Sequence, residues 1–307
     1  MPTTNNITTT YAGEAYSGFV SASLLSSPTI FGGGVTVYPN VKYKQVLKKL
    51  DTAQLLADGT CDFTASATLT QVERILQPKT LQVNLELCKA DYRDTWDAVS
   101  MGYSAHDVIP PNFASYLVGY AAEKVAAENE VNVWQGATGN SGEFDGFETL
   151  FTAMAEQPAA QELLGTTLSA ANIIAEINSV YDQIPPSVWG KEDLGIYMGT
   201  AAFKFYIQAQ AALGAYDAFS ERKAEPTFLG VPIKHCPGMS ANVMVAARKS
   251  DLAFGTGIMA DHGTVKVLDM AELDGSQNVR IIARLTAGVQ YVNGADIVTY
   301  GIVNASN

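Results

Sequence analysis

Residues 112–135 constrain this chain most, because they read as a single helix with clear ends. Pro110 and Pro111 block a helix from starting earlier, Asn112 is a suitable cap, and Gly136 is a suitable stop. Phe113, Tyr116, Leu117, Tyr120, Ala121, Val131 and Trp134 recur at spacings of three and four, which predicts one apolar stripe. At the helical rise this rod is about 36 Å long, more than an ordinary domain helix. The rest of the fold is expected to be arranged about it.

The segments before the rod lack a core of their own. Residues 1–34 are mostly Thr, Ser, Asn and Gly, with Tyr11, Tyr16, Phe19, Leu24 and Leu25 as isolated anchors before Gly32-Gly33-Gly34. Such an arm either packs on something else or stays loose as a terminus. Val35 to Leu50 alternates in part and predicts a strand, and Asp58-Gly59 marks a turn. Leu81, Val83, Leu85 and Leu87, alternating with Gln82, Asn84, Glu86 and Cys88, predict a second strand. Paired, the two would make a long ribbon over 35–88 with almost nothing to bury at its tip. A lone hairpin is marginal in water, so the expected support is another copy of the chain.

Lys42, Lys44, Lys48 and Lys49 crowd four positive charges onto this ribbon. They serve either as a solvated edge that resists stray pairing or as a docking face for an acidic neighbour. The acidic neighbour is available. Residues 1–100 carry 8 basic and 9 acidic side chains, residues 101–225 carry 5 and 16, and residues 226–307 carry 6 and 6, so −11 of the net charge of −12 lies in the middle segment. A protein that grips nucleic acid tightly needs a basic face, and this composition argues against one.

After the rod, Gly136 to Gly146 reads as a glycine-rich turn. Asn172 to Ile184 predicts a helix, with Ser169 as cap and Pro185-Pro186 as stop, and Leu194 to Met198 a buried strand. Thr200 is expected to cap a helix that ends at Gly214. From Phe228 onward the chain predicts strands at 231–233, 242–247, 265–268, 279–285 and 289–292, with turns at Pro237-Gly238, Asp274-Gly275 and Asn293-Gly294. The expected class is α+β, and 307 residues with 47% hydrophobic content leave room for a sizeable core.

Catalytic, cofactor-binding and metal-ligating patterns are not found. His106, His235 and His262 are dispersed, and no partner stands at metal-ligand spacing. His235 and Cys236 adjoin, but neighbours on a strand point to opposite faces, which disfavours a nucleophile and its base. Gly255-x-Gly257-x-x-Ala260 is followed by a strand rather than opening a helix, so it is not a dinucleotide fingerprint. Asp91, Asp94 and Asp97 near Trp96 suit a solvated face better than an acid–base pair or cation site. Cys61, Cys88 and Cys236 are odd in number and scattered, as free thiols are. No apolar run is long enough to cross a bilayer, and Met1 to Thr10 lacks a signal pattern, which predicts a cytoplasm-like compartment without membrane contact.

Taken in order, these parts resemble the major capsid proteins of tailed bacteriophages with the Hong Kong 97 fold. Val131-Asn-Val-Trp-Gln-Gly136-Ala-Thr-Gly resembles that family's helix end and glycine-rich turn. Phe228-Leu-Gly-Val-Pro-Ile-Lys234 with Pro237-Gly238-Met239 resembles its strand after the axial helices, and Val289 to Val303 its last strands. The resemblance implies an N-terminal arm (1–34), an extended loop (35–88), a peripheral domain (89–136 and 262–307) with spine helix 112–135, and an axial domain (137–261). It further implies a non-enzymatic virion protein, assembled in the host cytoplasm, that forms hexamers and pentamers of an icosahedral shell. Double-stranded DNA would be held inside by weak non-specific contact, with a portal and scaffold or decoration proteins as partners. Lys42, Lys44, Lys48, Lys49, Asp58, Tyr11 and Phe19 are the candidate inter-subunit contacts. An encapsulin shell around cargo enzyme is the alternative of the same fold. Some members join a loop Lys to a neighbour's Asn; no such pair is matched here, so no crosslink is expected.

Overall fold

In the computed structural model, residues 28–52, 56, 58, 61, 69–88, 111–213, 226–257 and 266–306 are described. They begin with a short helix α1 (Pro28–Phe31), strand β1 (Thr36–Tyr38), strands β2 (Gln45–Thr52) and β3 (Leu69–Leu76), and β4 (Lys79–Cys88). The long helix α2 (Pro111–Gln135) and the short α3 (Phe147–Phe151) follow. Next come β5 (Glu162–Leu163), α4 (Ile173–Asp182), β6 (Leu194–Met198) and α5 (Thr200–Ala212). The remaining strands are β7 (Thr227–Phe228), β8 (Val231–His235), β9 (Met244–Arg248), β10 (Leu252–Thr256), β11 (Lys266–Asp269), β12 (Asn278–Tyr291) and β13 (Val298–Tyr300). The class is mixed α and β.

The first sheet is built on β12. One edge of it carries β4 along Asn278 to Ala287, and the other carries β11 and then β10, beyond which β1 lies parallel to β10. The second sheet runs β5-β13-β9-β6-β8-β7. A core formed by Trp134, Phe147, Phe151, Tyr197, Val245, Phe254 and Ala287 joins both sheets to the C-terminal end of α2. A second core packs α4 and α5 on the second sheet through Ile173, Ile177, Ile196, Tyr206 and Val298. A third sets Ala121 and Ala122 of α2 against Val279, Ile281 and Ala283, with Val83, Leu85 and Leu87 of β4 beside them.

Four expectations change here. The strand at 81–88 does not pair with 35–50; it lies antiparallel to β12, because its apolar alternation needs the face that α2 covers. The partner of β2 is β3 instead, and 35–50 is divided between β1 and β2. The strands expected at 279–285 and 289–292 are one continuous β12. Gly288 permits this, since a Cβ there would meet Pro78 Cα at 2.9 Å. On α2 the expected apolar stripe holds at Ala121 and Trp134 and fails at Tyr120 and Val131, which are exposed. Ala122, Ala126, Asn129, Glu130 and Val133 are buried instead, and the side chains of Phe113, Tyr116 and Leu117 lie outside the described residues. Small alanines let the sheet approach closely, and polar Glu130 is buried because Thr29 satisfies it.

The glycine-rich turn, the helices at 173–182 and 200–212 and the strand at 194–198 occur where the sequence places them. Thr200 is the first helical residue rather than the cap, and its hydroxyl meets His235 Nε2 at 3.0 Å. Sheet membership does not follow chain order. β10 falls within 137–261 yet belongs to the first sheet, and β13 falls within 262–307 yet belongs to the second. Besides the long passage from β4 through α2 to β5, the chain therefore makes two short crossings between the sheets, at 249–251 and at 292–297.

Candidate assembly interface

Register and alternation give the β2–β3 ribbon two unlike faces. Leu47, Lys49, Arg74 and Leu76 share one face, and it is spent on the chain's own body. Leu47 and Leu76 are buried with Ala253. The Arg74 guanidinium lies 4.0 Å from the centre of the Tyr291 ring and 3.1 Å from Glu156 Oε1. Lys49 Nζ donates to Asn293 Oδ1 over 2.6 Å.

The opposite face carries Val46, Lys48, Leu50, Gln71, Glu73 and Ile75, with Leu69 opposite Thr52. Its apolar members stay in solvent: Leu50 is 63% exposed, Leu69 62%, Ile75 43% and Val46 39%. These apolar side chains share one exposed ribbon face, which makes it the candidate interaction surface. Lys48 stands between the apolar pairs on this face, directly across from Glu73.

Of the residues singled out in the sequence, Lys42, Lys44 and Lys48 are exposed on or beside this ribbon, with Lys44 Nζ 5.2 Å from the centre of the Tyr43 ring. Lys49 turns to the chain's own body. Asp58 is exposed. Tyr11 and Phe19 lie outside the described residues, as do His106, His262 and the Asp91, Asp94, Asp97 group. Not foreseen were Leu69 and Ile75 of β3, although Leu69, Gln71, Glu73 and Ile75 alternate with Thr70, Val72 and Arg74. Nor was the outer stripe of α2, where exposed Tyr120 and Val131 flank Glu123, Lys124, Ala127 and Glu128.

Burial pushes the Cys236 thiol up to about 12, so it stays protonated and unreactive. His235 stacks on Phe203 with ring centroids 4.9 Å apart, and burial lowers its pKa. Gly255 lies inside β10 beneath Leu76, and so opens no helix. Among the described residues, no group of three or more His, Cys, Asp or Glu is placed to hold a metal ion. None of their helices is long and apolar enough to cross a membrane.

No protein-family model matches the sequence, and no curated protein matches it. Solved structures do. The capsid of Myoviridae phage XM1 has a TM-score of 0.56 at 12% identity, over 89% of this chain and 91% of the other. The procapsid of satellite phage P4 has 0.55 at 10% identity, over 94% and 98%. A structure from Mycobacterium phage Adephagia has 0.58 at 13% identity, over 89% and 89%. The likeness extends along nearly the whole of each chain, and this protein shares its fold with those phage structures, two of them a capsid and a procapsid.

Proposed function

We propose that the chain is a major capsid protein, a non-enzymatic subunit that assembles with copies of itself into the icosahedral shell of a tailed phage. The observation that carries this reading is the ribbon of the capsid-like fold, seated by one face on its own body and bare on the other. In the Hong Kong 97 scheme β2 and β3 are the extended loop, α2 the spine helix of the peripheral domain, and the second sheet with α4 and α5 the axial domain. Residues 1–27 would complete the arm. Hexamers and pentamers would then bring the bare ribbon face onto a sister subunit.

The outer stripe of α2 has the matching chemistry. Tyr120, Ala127 and Val131, all exposed, would provide apolar contact, and Glu123 and Glu128 would meet the cations Lys42, Lys44 and Lys48 of a sister subunit. Double-stranded DNA inside such a shell would meet a chain of net charge −12, which suits weak non-specific contact. A portal and scaffold or decoration proteins would be the other partners, and the virion the location. An encapsulin would use the same fold; the phage origin of the similar structures favours the genome container.

Electron microscopy of the purified protein tests this reading, with closed shells or capsomer rings as the expected result. A chain that stays monomeric at every concentration and salt condition, with Leu50 and Leu69 covered by its own residues, overturns it.

A further inference from the structure

The two short crossings between the sheets, at 249–251 and 292–297, meet at one side chain. Arg248 ends β9, and its guanidinium binds Asp251 through Nε to Oδ2 at 2.9 Å and Nη2 to Oδ1 at 3.0 Å. Asp251 closes the first crossing, immediately before β10. The same Nη2 reaches Asp296 Oδ2 at 2.9 Å, in the second crossing between β12 and β13. The backbone adds a direct stitch, Val292 N donating to Asp251 O over 2.9 Å.

The body-facing side of the ribbon is attached to that second crossing. Arg74 covers Tyr291, the last residue of β12, and Lys49 holds Asn293 Oδ1. Asn293 Oδ1 also accepts from Ala295 N at 3.3 Å, so it caps the turn that presents Asp296 to Arg248. Tyr291 in turn pairs with Leu252, the first residue after Asp251. An unbroken chain of contacts therefore leads from Lys49 and Arg74, through residues 291–296, to Arg248 and both sheets.

We propose that the Arg248–Asp251–Asp296 cluster is a relay, which couples the seating of the β2–β3 ribbon to the relative position of the two sheets. Charge-assisted bonds in a partly buried, shared geometry favour discrete arrangements over a continuous range, and this is what transmitting a displacement requires. The coupling is reciprocal: releasing the ribbon loosens the crossings, and loosening the crossings releases the ribbon. The inference concerns contacts within one chain, so it stands or falls separately from the shell reading.

Amide hydrogen exchange on the full chain, compared at matched assembly state, tests it. In Lys49→Ala with Arg74→Ala, exchange at 249–252 and 292–297 is expected to quicken about tenfold, while the β6–β8 pair keeps its rate. In the reverse direction, Asp296→Asn is expected to quicken exchange in β2 and β3 by a similar factor. Asp296→Asn leaves the two Arg248–Asp251 bonds in place, and is therefore expected to keep the fold better than a change at Arg248 itself. Changes confined to the ribbon in the first variant, or to the crossings in the second, overturn the relay. A uniform increase that includes β6–β8 also overturns it, since that is general destabilisation.

Discussion

Trp134 donates its indole N–H to Thr29 Oγ1 over 3.0 Å, and Thr29 donates both its hydroxyl and its backbone N–H to Glu130. Two residues one turn apart on α2 thus hold the segment that precedes β1. Glu130 is nearly fully buried, so removing its carboxylate strands two donors of Thr29 away from water. Glu130→Ala is expected to lower stability by about 2–4 kcal/mol, and Glu130→Gln by about half as much, because one acceptor remains. Urea unfolding of the unassembled chain measures both, and an Ala variant as stable as the parent would show that this contact does not hold α1.

Leu50 and Leu69 contribute little to the fold of the free chain, since both lie in solvent on the bare ribbon face. Replacing both by Glu is expected to change unfolding stability by less than about 1 kcal/mol. Assembly into particles, followed by size-exclusion chromatography and microscopy, is expected to fail. Intact particles from the double variant would refute the role assigned to that face.

Asp251 gives a pH effect of definite sign. Burial raises its pKa from 3.8 to about 6, with Asp296 and Asp193 adding to the rise and Arg248 opposing it. Between those two values the folded chain holds a proton that the unfolded chain has lost. Its contribution is therefore present in full below about pH 4 and disappears as pH rises through about 6. Stability of the parent minus that of Asp251→Asn is expected to fall by about 2 kcal/mol across this window. A flat difference curve would place the Asp251 pKa near its ordinary value.

The thiols separate by burial. Cys61 is exposed and Cys236 buried. Brief alkylation at mildly alkaline pH, read by mass spectrometry, is expected to label Cys61 and leave Cys236 untouched until the chain unfolds. Early labelling of Cys236 would mean that the α1 segment beside it opens readily.

Two glycines make an internal control for the packing around α2. A Cβ at Gly238 would lie 2.0 Å from the backbone oxygen of Glu130, and the helix backbone cannot yield that distance cheaply. Gly238→Ala is expected to cost about 3 kcal/mol or more. A Cβ at Gly119, within α2 itself, meets nothing within 4 Å. Gly119→Ala is expected to stabilise the helix by about 0.5–1 kcal/mol, as thermal unfolding would show.

The elements with local signatures were legible in the sequence. Gly136 follows the end of α2 as expected, whereas Pro111 is the first helical residue rather than a block before it, which places Asn112 inside the helix rather than at its cap. The uniformly buried β6 and the strongly amphipathic α4 likewise stand out. Pairing was not legible. The alternation of β4 announces a strand with one buried face, yet β2 and β12 each have a period-two edge, and only the cover of α2 selects β12. Burial along α2 was misjudged for a related reason: Glu130 is polar by type, and its burial depends on Thr29, 101 residues away in sequence.

The candidate interface was half visible. The cations at 42, 44 and 48 form a cluster in the sequence itself, whereas the assignment of Lys49 to Asn293, and of Leu50 and Leu69 to one bare face, needs the β2–β3 register. By itself the sequence determined where backbone conformation must start, stop and turn, because those preferences act within a few residues. Tertiary structure alone decided which strands share an edge, which polar groups are satisfied out of water, and that both short crossings close on Arg248. Those outcomes depend on partners far along the chain, and local propensity holds no record of distance in space.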